Sequence, residues 1–439
     1  VIPNNYFTML IVILTILGII LNFFLIYNFK NKFLKFIKVF FIIVSIIIII
    51  AYSFGIYYLN KTINLFENIS IIKEEVTNYY IVVLDTSIYQ EPSDLYEKKL
   101  AYYEKTDEKV INSLKLSLDY ISEIDIEKLK ESLYNQEVDA ILISDIIKNK
   151  YEEDDENFNN NIRIIKTIEI KNEIEDITKR VSIKNTPFNV LISGIDAYGD
   201  INKTSRNDVN IVATINPNTN EILLTSIPRD YYVTLAGKNA KDKLTHAGIY
   251  GIETSVATLE NLLDIKINYY VKVNFTSLID IVNALGGVNV YSKYSFTSQD
   301  GYYYNAGYNN VDGKKALSFV RERKSFSEGD RTRVENQAAM IEALINKAIN
   351  PSIITKYTSL RNALDDSFIT NLDFDDITNF IKMQIADMPK WEVENISLDG
   401  KDGYDYTYSY GGTKLYVMIP DNETVINASN RINTILKEK

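Results

Sequence analysis

Residues 189–230 read NVLISGIDAYGDINKTSRNDVNIVATINPNTNEILLTSIPRD, and they decide the fold of the chain around them. Three runs within this stretch are rich in aliphatic and β-branched residues, as buried strands are: Asn189–Ile195, Val209–Ile215 and Glu221–Ile227. The segment Asn216–Asn220 between the last two runs is dense in turn-forming residues, so these runs are predicted to form a hairpin. The stretch therefore predicts a sheet at the centre of an α/β domain.

Charged side chains occur where these three runs begin or end. They are Asp196 after the first run, Arg206 and Asp208 before the second, and Arg229 and Asp230 after the third. In α/β proteins ligands bind at strand ends, in loops that a rigid sheet displays. Carboxylates and guanidiniums converging there suit a divalent cation beside a phosphate group. We therefore predict that the functional site lies at this edge of the sheet.

Composition excludes several classes of function. The chain has 439 residues, enough for two soluble domains and membrane anchors. Its net charge of −11, with no basic stripe, argues against nucleic acid as a partner. The absence of cysteine excludes disulfides, thiolate catalysis and thiolate zinc sites, and the single histidine, His246, argues against a histidine-based metal centre. A Ser–His–Asp triad would have to use this one histidine.

Residues 1–60 are predicted to form a transmembrane hairpin. Phe7–Tyr27 and Val39–Leu59 carry no charge, and each has about the 20 residues that a bilayer core requires. The connecting segment Asn28–Lys38 contains four lysines, which the positive-inside rule places in the cytoplasm, with the rest of the chain outside. A cleaved signal peptide is the alternative, but the first run lacks a basic start and a small-residue cleavage site.

Residues 61–180 are predicted to form a juxtamembrane linker and a small α/β accessory domain. The expected elements are a strand from Tyr79, a charged and mostly helical region Ser93–Asn135, and strands at Asp139–Ser144 and Ile162–Ile170. The five consecutive acids Glu152–Glu156 are interpreted as a solvated loop rather than a metal site. We find no chemical cluster in this part of the sequence.

Residues 181–350 are predicted to form the catalytic core, and residues 351–439 to complete it with further helices and strands. Strand and helix patterns alternate after residue 250: helix Glu253–Leu263, strand Ile267–Phe275, helix Thr276–Leu285, strand Val288–Tyr291, and helical segments Asp312–Lys324 and Asp330–Ile349. Such alternation favours a largely parallel sheet covered on both faces.

Arginine is scarce in this chain but clustered. Six of the ten arginines lie between positions 206 and 333: Arg206, Arg229, Arg321, Arg323, Arg331 and Arg333. A guanidinium binds phosphate oxygens through two parallel hydrogen bonds, whereas an ammonium is a point charge. For any single arginine a surface ion pair is the simpler interpretation, but the clustering favours anion binding.

The acids Asp196 and Asp208 lie twelve positions apart, at the two ends of one loop. Side by side without a cation, each would raise the pKa of the other. A hard ion such as Mg²⁺ relieves that conflict and takes one or two carboxylates, with the remaining ligands from phosphate and water. Either aspartate alone is more simply a cap or turn residue.

A set of short motifs recurs in one known family. The motifs are Gly194–Asp196, Arg206–Asp208, Ser226–Asp230, Lys243–Ala247, Ala284–Val288, Asp312–Leu317, Val320–Arg323 and Asp330–Gln337. In this order they resemble the LytR-CpsA-Psr family of bacterial cell-wall phosphotransferases, over about residues 188–350. The resemblance implies an αβα sandwich with a central mixed sheet. Family members of the capsule type also carry a membrane hairpin and an extra domain, which Phe7–Arg180 resembles.

The resemblance also implies a function. Members transfer a glycopolymer from an undecaprenyl-pyrophosphate carrier onto peptidoglycan, outside the bacterial membrane. Asp196 and Asp208 would bind Mg²⁺ or Mn²⁺ and would form the catalytic set with Arg206 and Arg229. The pyrophosphate contacts would be Arg206, Arg229, Lys243, Arg321, Arg323, Arg333 and Gln337. The family often has a second arginine directly before the glutamine; here that residue is Asn336, so one contact is missing or comes from Arg331.

Two further points follow from the resemblance. The polyprenyl chain would lie in an apolar tunnel, for which the candidate lining positions are Val256, Leu259, Leu263, Leu278 and Val282, although a core helix shows the same pattern. Two other functions remain open: a non-catalytic module that binds the lipid carrier or the wall, and a membrane-linked regulator. The predicted outward topology argues against the regulator.

Overall fold

The structure is a computed structural model that describes residues 38–50, 74–327, 329–350, 368–373 and 388–438, with scattered residues in 9–36 and 376–384 and residue 53. Among these residues, none belongs to a helix with the length and hydrophobicity needed to cross a membrane. The predicted span Phe7–Tyr27 and the end of Val39–Leu59 lie largely outside the described residues, so the hairpin remains a prediction.

The accessory domain is built on a five-stranded sheet of order β3-β2-β4-β1-β5. Strand β2 runs parallel to β3 and β4, whereas β1 runs antiparallel to β4 and β5. The strands are β1 Glu74–Leu84, β2 Lys99–Tyr103, β3 Asp119–Glu123, β4 Ala140–Ser144 and β5 Ile162–Glu173. The helices are α1 Glu108–Ser113, α2 Ile126–Tyr134, α3 Asp145–Asp154 and α4 Phe158–Asn161, with a 3₁₀ turn at Pro92–Leu95.

The prediction that Ser93–Asn135 is mostly helical was wrong. This region contains strands β2 and β3, each followed by a short helix. Leu100, Ala101 and Tyr103 of β2 are almost fully buried between the two apolar clusters of the domain. Burial on both faces of a sheet outweighs the weak helical preference of the charged residues around it.

The second domain has a six-stranded sheet with helices on both faces. Its first strands are β6 Phe188–Ile195, β7 Asn207–Asn216, β8 Glu221–Ser226, β9 Tyr232–Leu235, β10 Ala240–Lys243, β11 Tyr269–Val273 and β12 Val288–Ser292. The later strands are β13 Phe296–Thr297, β14 Tyr303–Tyr304, β15 Gly307–Val311, β16 Phe368–Thr370, β17 Glu392–Ser397, β18 Gly400–Tyr406 and β19 Lys414–Pro420. The helices are α5 Ile252–Leu263, α6 Phe275–Ala284, α7 Gly313–Arg321, α8 Asp330–Ala348 and α9 Asn422–Lys437, with a 3₁₀ helix at Leu244–Tyr250.

The large sheet is mixed, with strand order β16-β11-β6-β7-β8-β17. Only the pairs β6–β11 and β8–β17 are parallel, so the expectation of a largely parallel sheet was wrong, and the mixed sheet implied by the family resemblance is confirmed. The antiparallel order β6-β7-β8 follows from the predicted hairpin and from the loop of residues 196–206. It places the end of β6, the start of β7 and the end of β8 at one edge.

Each face of this sheet is covered by helices. On one face, Leu191 of β6 and Leu223 of β8 pack against residues of α5 and α9 such as Leu259 and Ile432. The alternate residues point to the other face, where they pack against α8. The αβα sandwich is therefore observed, and three of its described elements, β16, β17 and α9, come from the residues after 350.

The accessory domain docks on the loop that joins β6 and β7. Val76 of β1 donates its N–H to the carbonyl of Asn202 (2.8 Å) and accepts from the N–H of Thr204 (3.0 Å). Beside this contact, the ammonium of Lys272 lies 2.6 Å from the carboxylate of Glu75, and both side chains are buried. Because the same loop leads from Asp196 to Asp208, the accessory domain is fixed next to the predicted site.

Candidate functional site

A cavity of about 520 Å³ lies at the edge of the large sheet where the charged residues were predicted to meet. Eight of the nine predicted site residues line it: Asp196, Arg206, Asp208, Arg229, Arg321, Arg323, Arg333 and Gln337. The ninth, Lys243, is absent from the described lining, and its ammonium lies 2.9 Å from the carboxylate of Asp230. The geometry thus brings together residues spread over more than 140 positions of sequence.

Strand geometry explains how the first four residues meet. Asp196 directly follows β6, Arg206 and Asp208 flank the first residue of β7, and Arg229 follows the end of β8. A register shift in the β6–β7 ladder at Gly194–Ile195 ends the regular pairing just before Asp196. Gly194 is required there, because a Cβ atom would lie 2.8 Å from the side chain of Val209. The close approach lets the two aspartates leave neighbouring strands side by side.

The acids and arginines of this edge are paired and largely buried. Arg229 Nη1 lies 2.6 Å from Asp208 Oδ2, and Arg206 Nη2 lies 3.8 Å from Asp196 Oδ2. Burial raises the pKa of Asp196, and the neighbouring charge of Asp208 raises it further. Burial alone would also raise the pKa of Asp208, but Arg229 and other guanidiniums outweigh it and hold that pKa below its usual value. The carboxylate of Asp208 is thus stabilised by neighbouring cations, whereas the negative charge of Asp196 is not fully compensated.

The donor set of the two aspartates fits a hard divalent cation. Among the described residues, no group of three or more His, Asp or Glu side chains comes together as an all-protein metal site. Mg²⁺ does not require such a site, because it takes one or two carboxylates and completes its shell with phosphate and water oxygens. Burial and the nearby charge of Asp208 both raise the pKa of Asp196, and a bound cation would favour its ionised form.

Arg321 and Arg323 reach the same cavity because the chain bends between them. Helix α7 ends at Arg321, and Glu322 is extended, with φ −63° and ψ 131°. The carboxylate of Glu322, which is 2% exposed, accepts N–H bonds from Gln299 (2.7 Å), Ser325 (2.9 Å) and Arg323 (3.0 Å). Residues two apart on a continuous helix would point in different directions. The buried Glu322 therefore sets the positions of both arginines.

The ring of Phe275 supports one of these arginines. The guanidinium carbon of Arg321 lies 4.6 Å from the centre of the Phe275 ring, and its Nη1 lies 3.3 Å from the hydroxyl of Tyr198. A flat guanidinium over an aromatic face keeps its edge free to donate hydrogen bonds.

Helix α8 supplies Arg333 and Gln337 from one face, since they lie four positions apart. Arg331 points elsewhere: its Nε lies 3.1 Å from Asp399, and its Nη2 donates to the carbonyl of Gly400 (2.9 Å). Arg331 therefore does not supply the phosphate contact that Asn336 lacks. Asn336 is itself buried, 4% exposed.

Among the polar and aromatic lining residues, five were not singled out from the sequence: Glu153, Asn274, Phe275, Gln299 and Lys324. Glu153 is the most informative of them, because it comes from the accessory domain. Its Oε2 accepts from Arg206 Nη1 (3.0 Å), and its Oε1 accepts from Arg206 Nη2. The interpretation of Glu152–Glu156 as a solvated loop was therefore wrong for its first three residues, since α3 extends to Asp154. No local sequence signal marks Glu153, because its partner is 53 positions away.

The residues that line the cavity carry more positive than negative charges. Its lining includes six cationic side chains, Arg206, Arg229, Arg321, Arg323, Lys324 and Arg333, against the three carboxylates of Glu153, Asp196 and Asp208. The chain as a whole has a net charge of −11, so this concentration of cations is local. Several guanidiniums in a partly buried cavity suit a ligand with two or more negative charges, such as a diphosphate.

A second, apolar cavity of about 490 Å³ adjoins the first. It lies between the sheet and helices α6 and α8, and its lining is aliphatic and aromatic except for Asp376. The two cavities share four lining residues: Ile192, Val273, Leu278 and Ile341. The polar site therefore continues directly into an apolar space, an arrangement that suits an amphiphile with a charged head and a hydrocarbon tail.

Most of the positions proposed for the lipid tunnel lie elsewhere. Of the five candidates, only Leu278 lines the apolar cavity. Val256, Leu259 and Leu263 of α5 belong to the core on the opposite face of the sheet, and Val282 packs in a third cluster with α7 and α8. Both faces of the sheet are apolar, so the amphipathic pattern of α5 does not reveal which face it covers.

His246 does not form a nucleophilic triad. Its Nδ1 lies 2.5 Å from Asp242 Oδ1, and Asp242 Oδ2 accepts both the hydroxyl and the backbone N–H (2.7 Å) of Ser409. Asp242 thus stands between the other two side chains, and all three are buried. This cluster ties the 3₁₀ helix to the loop after β18 and has a structural role.

Comparison with known proteins agrees with this geometry. The model of the family described as "LytR_cpsA_psr family" matches residues 157–425, more than half of the chain. The chain belongs to the LytR-CpsA-Psr family. The match includes all nine predicted site residues and leaves out most of the accessory domain.

Several relatives are similar to part of this chain. TagU of Bacillus subtilis, named a polyisoprenyl-teichoic acid–peptidoglycan teichoic acid transferase, is 42% identical over 202 residues, which are 45% of this chain and 65% of the relative. TagU of Enterococcus faecalis is 39% identical over 201 residues, 45% of this chain and 66% of the relative. The chain thus spans slightly less than two thirds of these two relatives. The crystal structure of B. subtilis TagV is 29% identical with a TM-score of 0.50, over 58% of this chain and 99% of that chain.

Proposed function

We propose that this protein is a membrane-anchored phosphotransferase acting outside the bacterial cell. It would move an anionic glycopolymer from an undecaprenyl-pyrophosphate carrier onto peptidoglycan. One observation carries the proposal: a cavity with six cationic side chains opens into an apolar cavity beneath helix α8. A polyprenyl diphosphate has this combination of a multiply charged head and a hydrocarbon chain.

The arginines would bind the diphosphate before and during the reaction. Arg229 and Arg333 each have a buried Nε without a hydrogen-bond partner among the described residues. Arg321 and Arg323 face the same space from the end of α7. Guanidiniums arranged before the substrate arrives stabilise the charge that develops during phosphoryl transfer without reorganising.

The reaction would be a displacement at phosphorus. A sugar hydroxyl of peptidoglycan would attack the phosphorus nearer the glycopolymer and lose its proton. The bond from that phosphorus to the bridging oxygen would break, and polyprenyl phosphate would leave with the electron pair. Asp196 and Asp208 would hold Mg²⁺ or Mn²⁺, which would supply positive charge to the diphosphate oxygens.

The relatives support the transferase class. TagU of B. subtilis and TagU of E. faecalis both carry names that describe transfer of teichoic acid from a polyisoprenyl carrier to peptidoglycan. The outward location rests on the four lysines between the two uncharged runs of residues 7–59.

The proposal is tested with the full-length protein in detergent. It is incubated with a glycan linked to undecaprenyl diphosphate and with peptidoglycan, and the release of undecaprenyl phosphate is measured by mass spectrometry. Wild type and the surface variant Arg331→Ala should release it, whereas Arg229→Ala should not. Tight binding of the carrier without release in wild type would instead favour the non-catalytic binding module.

A further inference from the structure

The contact between Glu153 and Arg206 gives the accessory domain a role in the site. We infer that Glu153 is a resident anion, which holds the guanidinium of Arg206 until the diphosphate of the substrate displaces it. The inference rests on the proposed function and adds a residue from outside the region that matches the family.

The geometry of the pair supports exchange with a phosphate. Both terminal nitrogens of Arg206 donate to the two carboxylate oxygens of Glu153, the same paired arrangement that a guanidinium forms with phosphate. A carboxylate and a phosphate cannot occupy these donors together. The Arg206 side chain is 12% exposed, whereas that of Glu153 is 49% exposed, so Glu153 is the partner that can move into solvent.

The fold holds Glu153 at the cavity without burying it. Helix α3 starts at an N-cap, Ser144, whose hydroxyl accepts the N–H of Ile147 (3.3 Å). Ile146, Ile147 and Tyr151 of α3 are buried in the accessory core. Strand β4, which precedes α3, pairs with β1, and β1 is bonded to the loop of residues 202–204. This chain of contacts fixes the backbone of α3, so only the Glu153 side chain has to move.

The two neighbouring acids form ion pairs with lysines of the same helix. Glu152 pairs with Lys148, and Asp154 pairs with Lys150, each at a spacing of four residues. Glu153 lines the cavity, whereas Glu152 and Asp154 on either side of it are neutralised by lysines. Burial would raise the pKa of Glu153, but hydrogen bonds from Arg206 lower it below its usual value, so the residue is ionised at neutral pH. An ionised Glu153 competes with the incoming diphosphate for the guanidinium of Arg206 and also repels the diphosphate electrostatically.

The test measures binding of farnesyl diphosphate and inorganic pyrophosphate to the full-length protein by calorimetry at low salt. Glu153→Gln removes the competing charge and is expected to lower both Kd values about three- to tenfold. Glu156→Gln is the matched control, because it removes an exposed charge from the same acidic run and should leave both Kd values unchanged. Equal or weaker binding by Glu153→Gln would overturn the inference, and weaker binding would show that Glu153 positions Arg206 for the ligand.

Failure of the inference can be told apart from failure of the proposed function. If wild type binds both ligands and Glu153→Gln binds them equally well, only the inference is wrong. If wild type binds neither, the proposed function fails as well.

Discussion

Arg229 and Asp208 form an ion pair across two neighbouring strands, with Arg229 Nη1 2.6 Å from Asp208 Oδ2. Their side chains are 16% and 13% exposed, so each compensates a largely buried charge on the other. A residue proposed to bind phosphate and one proposed to bind a metal ion therefore hold each other in place. The ion pair at the site thus contributes to the stability of the fold.

This coupling predicts different stabilities for variants of the two aspartates. Asp208→Asn should lower the free energy of unfolding by roughly 2–3 kcal/mol, because it leaves Arg229 largely buried with a weaker partner. Asp196→Asn should cost less or even stabilise the fold, because Asp196 has a raised pKa and its side chain is 33% exposed. Urea unfolding of both variants checks this, and equal losses would contradict it.

A second prediction separates phosphate binding from surface charge at Arg229. Arg229→Lys keeps the charge but loses the planar pair of donors, so turnover should fall tenfold or more, about 1.4 kcal/mol. Arg331→Lys is the control, because Arg331 contacts Asp399 outside the cavity. Turnover is measured at low and high salt, since a charge that only steers the substrate would tolerate lysine and respond mainly to salt. Wild-type turnover of Arg229→Lys would refute the interpretation that Arg229 binds phosphate through a planar pair of donors.

Much of the site was predictable because it lies where apolar runs stop. The ends of β6, β7 and β8 are marked in the sequence by the change from β-branched residues to Asp196, Arg206 and Arg229. Because β7 and β8 form a hairpin, Arg206 before β7 and Arg229 after β8 must lie at the same edge of the sheet. The helices that follow were also predicted within a few residues, since their apolar positions recur at helical spacing.

The parts that were missed depend on contacts between distant segments. Glu153 lies in a run of acids that looks uniformly solvated, and only the docking of β1 on residues 202–204 brings it to Arg206. Arg323 itself was predicted, but the helix was expected to continue to Lys324, whereas the buried Glu322 bends the chain directly after α7. The candidate tunnel positions in α5 lie in the core of the opposite face for a related reason: both faces of the sheet are apolar, and the pattern within one helix does not show which face it covers.

A third prediction concerns the acid stability of the cluster around His246. Burial would raise the pKa of Asp242, but His246 and the hydrogen bonds from Ser409 hold it below its usual value. A lowered folded-state pKa stabilises the protein above the unfolded value of about 3.9, and the gain is lost as the pH falls through the folded value. Asp242→Asn should therefore lower Tm at pH 7, with a difference from wild type that shrinks below about pH 4. A constant difference, as expected for loss of packing alone, would contradict this; Asp300→Asn, at an exposed position, serves as the control.

A fourth prediction tests the outward topology. The chain has no cysteine, so an introduced cysteine is the only thiol in the protein that can react with a labelling reagent. Lys314→Cys, at an exposed position of α7, should react with an impermeant thiol reagent in intact cells. Asn31→Cys, between the lysines of Asn28–Lys38, should react only after lysis. The reverse pattern would remove the basis for a function in the cell wall.

The last prediction tests whether the apolar cavity holds the hydrocarbon chain. Ile345 of α8 lines this cavity and packs partly against the face of the sheet. Ile345→Trp should fill part of the space and weaken binding of a long polyprenyl diphosphate tenfold or more, about 1.4 kcal/mol. Binding of inorganic pyrophosphate should stay the same, because the arginines that contact it are untouched. Asn346→Trp adds the same side chain at the next, exposed position of the helix and controls for effects on α8 itself. Equal losses for both ligands would mean that the substitution disturbs the whole site, and no loss for either would place the hydrocarbon chain elsewhere.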